Sequence, residues 1–283
     1  MSDPAYDDFV EKNRKWNFFA NAGDLSAVNL AHAFIYSTTI LTLYASYLTS
    51  SAILIGFIPA IQQVGYLLPQ LLSANRAERL KRKKPFVVKI SIVERIPYFF
   101  VTLGIFLIPG APAWLSYVIL AFSIGIATGA AGIATPAWKA MLGKIIHPDR
   151  RGALFAFGLS VGGFFGIGGT LLARWFLNTY AYPVSFAYCF LLSFIFQMVS
   201  WVFLTLNREP EKKPDQDHVS HTDYFKKLPS IIRGNPNFAF YLLSMYLIVF
   251  GQMAVSFYIV YARHAFGVSD GFAANLTFVA LVS

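Results

Sequence analysis

One pattern limits what this chain can become. Long, nearly uncharged apolar runs are separated by short bursts of lysine and arginine, as in "SANRAERLKRKKPFVVK" at residues 73–89, where six basic residues between 76 and 84 crowd around the single acid Glu78. A helix that crosses a bilayer needs about 20 mostly apolar residues. The sequence predicts seven such spans, at 24–48, 52–73, 86–108, 113–138, 152–175, 183–206 and 237–262. An eighth apolar run begins near Gly271 and stops at Ser283, about 13 residues, below the length that crosses. The expected fold class is therefore an all-α polytopic membrane protein with seven full spans and a truncated eighth. Composition agrees: 56% hydrophobic and 13% charged residues leave too much apolar surface for one soluble core.

The basic residues also predict orientation. Of the 23 lysines and arginines, 19 fall in the N-terminal tail and in the links after spans 2, 4 and 6, Lys89 and Arg95 sit inside span 3, and only Arg174 and Arg263 fall on the other side. This positive-inside bias places the N-terminus in the cytoplasm. The stretch at 73–89 is then a cytoplasmic loop beside anionic headgroups, too short for a nucleic-acid-binding domain. The N-terminus lacks the basic start and immediate apolar core of a cleaved signal peptide. The lone Cys189 allows no internal disulfide.

Four segments follow: a cytoplasmic tail (1–23), a six-helix bundle (24–206), a cytoplasmic linker (207–236) and the start of a second bundle (237–283). In the linker, Phe225, Leu228 and Ile232 share one face of a short surface helix. His218 and His221 resemble a loose metal pair, and His218 with Asp223 an acyltransferase spacing. With no second ligand cluster, both read as a solvated linker, and no metal or other cofactor is expected.

Six spans, a polar linker and further spans resemble the major facilitator superfamily of transporters. Two motifs support the resemblance. The 2–3 link "ANRAERLKRK" holds the acid, its neighbouring arginine and the later basic pair of the family signature, with Ala74, Glu78 and Lys81 replacing Gly, Asp and Gly. The second is a small-residue span 4 with Pro136, followed by a loop ending in "PDRRG". The resemblance implies a secondary transporter in the cell (plasma or inner) membrane that moves a small-molecule solute by alternating access, with a proton as candidate coupling ion. It implies cytoplasmic gating by Glu78, Arg79, Arg82, Asp149, Arg150 and Arg151, and a C-terminal half of the same protein as partner. Ile126 stands where many proton-coupled members carry arginine, and span 5 lacks the proline of the antiporter motif. Both departures argue against a drug/proton antiporter.

Spans 1, 4 and 7 line the cavity in this superfamily, so the resemblance implies Asn29, His32, Tyr36, Thr128 and Gln252 as solute ligands. Gln62, Gln63 and Tyr66 join them as polar groups that need partners in lipid. These groups suit a neutral or weakly polar solute. Glu94 and Arg95 lie inside span 3, where charges are costly. Neighbours on a helix do not face one another, so each should find another partner, as a structural brace or, for Glu94, as a proton carrier. Gly125 and Gly129 in span 4 and Gly158, Gly162 and Gly166 in span 5 form stripes for close helix packing. Two other classes compete. A seven-span receptor would place its N-terminus outside. A membrane enzyme would need a convergent catalytic set, which the sequence does not offer, so no enzymatic activity is expected. No phosphate-binding Gly-Lys-Ser/Thr loop occurs.

Overall fold

The computed structural model describes residues 4–108, 110–211, 229–230 and 232–282. The linker histidines, Asp223 and Phe225 lie outside the described residues, as does the side chain of Gln252. Lipid offers no partner for backbone N–H and C=O groups, so apolar spans must satisfy their own. Accordingly, the regular elements among the described residues are all helical.

A short α1 (Pro4–Lys12) leads into α2 (Arg14–Ala33). Then follow α3 (Thr42–Leu48), α4 (Ala52–Arg79), α5 (Lys84–Leu107), α6 (Ala113–Ile145), α7 (Pro148–Thr179) and α8 (Val184–Thr205). After the linker come α9 (Pro236–Gly251), a 3-10 segment (Gln252–Phe257), α10 (Tyr258–Phe266) and α11 (Gly271–Val282).

The first span departs from expectation. It is not one helix over 24–48, because the chain leaves the helical region at Tyr36 (ψ 124°) and resumes through a π turn at Ser37–Leu41. The Leu41 N–H reaches back five residues to the Tyr36 carbonyl at 3.2 Å. No proline or glycine causes the break. The segment concentrates the β-branched Ile35, Thr38, Thr39 and Ile40, which lose χ1 freedom in a helix. The Thr39 hydroxyl meets that of Thr277 on α11 at 2.5 Å. Six helices among the described residues are long and apolar enough to cross a membrane: α4 to α8 and the combined stretch Pro236–Phe266. The first span is not among them, because α2 carries Asn17, Asn21 and Asp24 and ends at Ala33. Gly271–Leu281 is a shorter apolar helix.

α2 packs on α7 and α8, while α4 and α5 pack on α6, and α5 also on α8. The α2–α7 seam is close. A Cβ on Gly162 would stand 2.7 Å from the Asn29 Cβ and 2.9 Å from the Ser26 carbonyl, and one on Gly158 would stand 2.7 Å from the Leu25 Cβ. Gly166 faces Leu281 of α11 instead, and Gly125 faces Ile61. Gly129 differs from the expected stripe, because a Cβ there would meet nothing within 4 Å. At the α4–α6 crossing the close contact is made by Gly132, where a Cβ would collide with the Tyr66 carbonyl.

Two apolar cores form. One gathers Phe34, Tyr44, Phe186 and Phe190, the other Leu25, Val87, Met141 and Leu204. α9 has no buried residue.

Candidate functional site

The two cores meet around a cavity of about 470 Å³, lined by α2, α4, α5, α6 and α8. Helical spacing explains its walls. Asp24 and His32, two turns apart, share the inner face of α2. On α5, Ser91, Glu94, Arg95 and Tyr98 form one inward stripe, while Val93, Ile96 and Phe100 are exposed on other faces. α4 contributes Gln62, Gln63 and Tyr66, α6 contributes Thr128, Thr135 and Trp138, and α8 contributes Gln197.

The floor of the cavity is an ionic cluster. Arg95 is 3% exposed. Its Nε donates to the Gln197 carbonyl at 2.7 Å, Nη1 to the Ser91 carbonyl at 2.8 Å and to Glu94 Oε2 at 3.2 Å, and Nη2 to Ser200 Oγ at 2.8 Å. Ser200 in turn donates to Asp24 Oδ1 at 2.6 Å, which lies 3.9 Å from Arg95 Nη2. Two carboxylates thus share one guanidinium. The expectation that Glu94 and Arg95 would not meet is corrected here: the long guanidinium arm folds back to its neighbour.

His32, Gln62 and Gln63 make no hydrogen bond among the described residues and line the cavity. The Tyr66 hydroxyl accepts from Thr135 Oγ1 at 3.3 Å. The Thr128 hydroxyl is taken up by the Ile124 carbonyl at 2.8 Å. Two of the expected ligands lie elsewhere. Asn29 donates to the Leu25 carbonyl at 2.8 Å and packs in the seam against Gly162. Tyr36 sits at the break in span 1, outside the cavity lining.

A second constellation closes the basic end of the bundle. Glu209, its side chain 1% exposed, accepts the backbone N–H groups of Lys83 and Lys84 at 2.7 Å each and Lys144 Nζ at 3.1 Å. It therefore caps the positive N-terminus of α5. Burial, and then repulsion from Lys144, holds Lys83 below the ordinary lysine range, against the pull of Glu209. The flanking residues are stitched to α2. Asn17 accepts the Arg208 N–H at 2.8 Å and donates to the Arg208 carbonyl at 2.9 Å, Asn21 donates to Asn207 at 2.5 Å, and the Trp16 indole donates to the Leu206 carbonyl at 2.8 Å.

Residues 25–283 match the sequence profile of the Major Facilitator Superfamily. The chain belongs to the Major Facilitator Superfamily. It is thus a multi-pass membrane transporter protein by family, and superfamily members are transporters rather than enzymes. No curated protein and no solved structure matches it.

The superfamily signature in the 2–3 link directs attention to Glu78, yet Glu78 has no ion-pair partner among the described residues. Arg79 bonds Asn75 at 2.9 Å, and Arg82 pairs with Glu211 at 3.3 Å, both partners more than half exposed. Asp149 pairs with His147 at 3.2 Å on the surface, Arg150 is exposed, and Arg151 donates to the Gly143 and Ile146 carbonyls at 2.7 and 3.2 Å, closing the end of α6. The carboxylate that grips the 2–3 link is Glu209. Sequence reasoning left it in a solvated linker. Its only signal was an acid directly after span 6, in "LNREPE". Ser200 and Gln197 were also missed, since single polar residues in an apolar span carry no mark of their partner.

Proposed function

We propose that this superfamily member is a secondary transporter that moves a small solute by alternating access, and that the solute rests in the α2–α4–α5–α6–α8 cavity. The observation that carries this reading is the set of unbonded His32, Gln62 and Gln63 side chains lining one cavity, between helices built for lipid. Polar groups without partners are unfavourable there, and a hydrogen-bonding solute satisfies them. The basic-residue bias supports a cytoplasmic N-terminus in a cell membrane. The spans from residue 237 onward build the second half against which the first rocks.

The test is solute counterflow in proteoliposomes, over a panel of sugars, amino acids, amines and carboxylates. Saturable counterflow of at least one solute is expected, with its affinity reduced in Gln62→Ala, Gln63→Ala and His32→Ala. Counterflow by none of them, or unchanged affinity in all three variants, refutes the reading. A membrane-impermeant reagent that labels the N-terminus from outside refutes the topology.

A further inference from the structure

We propose that the solute of this cavity is a monocation, an amine, guanidine or quaternary ammonium, seated against Glu94. The proposal rests on the transport reading above and names the solute class.

Three observations lead to it. The first is charge. Asp24 and Glu94 line the cavity with Arg95 as the only lysine or arginine in its wall. His32 is counted as neutral. With both carboxylates ionised, the wall carries one excess negative charge.

The second is availability, which separates a cation site from an anion site. A guanidinium has five N–H donors. In Arg95 four are spent on the Gln197 and Ser91 carbonyls, Glu94 and Ser200, and the group is 3% exposed. The fifth sits on Nη2, 3.9 Å from Asp24 Oδ1, so this buried group has at most one donor for an incoming carboxylate or phosphate. Asp24 is held through Oδ1 by Ser200, and its side chain is only 9% exposed. Glu94 is different. Only Oε2 is engaged, Oε1 has no partner among the described residues, and the side chain is 21% exposed, on the cavity face of α5. The charged atom that the cavity offers a solute is a carboxylate oxygen.

The third is the wall itself. Tyr66, Tyr98 and Trp138 line the same space. Aromatic faces attract cations through their quadrupole and suit the apolar flank of an organic ammonium. An uncharged solute would leave the excess charge in a low-dielectric cavity, whereas a monocation neutralises it. The neutral solute expected from the polar residues of spans 1, 2, 4 and 7 omitted span 3, whose inward stripe supplies the charge.

The experiment uses purified protein in detergent and three probes of similar size and different charge: benzyltrimethylammonium, its neutral carbon isostere neopentylbenzene, and benzenesulfonate. Benzylguanidine serves as a second cation. Titration calorimetry and thermal shift should show saturable binding of the cations and at least about tenfold weaker binding of the other two. Glu94→Gln should abolish the discrimination. If that variant does not fold, Tyr66→Leu should weaken the cations severalfold and Tyr66→Phe, which keeps the ring, should not. Equal or tighter binding of the sulfonate or the isostere, no binding of either cation, or full cation preference in Glu94→Gln overturns the proposal. So does an unchanged Tyr66→Leu where the Glu94 variant is lost. Counterflow of an anionic or neutral solute alone would retain the transport reading and reject this one. Cation binding without counterflow of any solute would do the reverse.

Discussion

Arg95 spends its donors on two carbonyls, a serine and a carboxylate, out of contact with water. Removing it leaves Asp24 and Glu94 buried without a cation, and losing one partner of such a set costs about 3–5 kcal/mol. Arg95→Met should therefore melt well below the wild type in detergent. Glu94→Gln should fall less, by about 1–2 kcal/mol, because Ser200, Gln197, Ser91 and Asp24 still hold the guanidinium. The same variant decides whether Glu94 carries a coupling proton. A normal melting temperature with loss of response to a pH gradient would assign it that role, while a lowered melting temperature with the response retained would make it a brace. We expect the brace. Among the glycines, Gly162→Ala should cost about 1–3 kcal/mol, because the Ser26 backbone cannot yield to a new Cβ. Gly129→Ala, facing open space, should be neutral or stabilise by up to about 1 kcal/mol. Thermal melts of the pair check both.

At the level of elements, the segment after α8 acts as a clasp. Glu209 joins the start of α5 to the end of α6, while Asn207 and Arg208 bind the start of α2. Glu209→Ala leaves the Lys83 and Lys84 N–H groups and the Lys144 ammonium without their acceptor, at a cost of about 1–3 kcal/mol. It should also raise the labelling rate of a cysteine introduced at position 81, since the native Cys189 is buried. Neutralising Arg79 and Arg82 together removes only exposed contacts and should cost less than about 1 kcal/mol. Loss of transport in that double variant at normal stability would assign the arginines a gating role. Wild-type flux would leave them as determinants of orientation.

For the molecule as a whole, legibility followed the range of the interaction. Apolar runs report directly on spans, so α4 to α8 were visible, with ends short of the structure by several residues where helices such as α6 and α7 run past the apolar core into charged sequence. The break at Tyr36 was hidden, because β-branched residues weaken a helix without the punctuation of proline or glycine. The cavity was half visible. Gln62, Gln63, Tyr66, His32 and Thr128 stood out as polar groups in lipid, and all five line it. That Glu94 and Arg95 face the same space depends on how α5 is rotated against α6 and α8, which no local pattern encodes. Asn29 was misplaced for the same reason. It shares a helix face with His32, yet Gly162 draws it into the seam. Glu209 was invisible, because a linker acid and a buried cap look alike until the chain is folded.

The pairing of Asp24 with Arg95 also sets an order of events during synthesis. An acid in the middle of α2 raises that helix's insertion cost by up to about 3 kcal/mol, and the neutralising arginine is translated about 70 residues later, a delay of roughly 4–14 s at 5–20 residues per second. Until then the first helix lacks the counter-ion that makes it at home in hydrocarbon. Nascent chains stopped before α5 should therefore hold that helix loosely, extractable by alkali, and those extended beyond α5 should retain it.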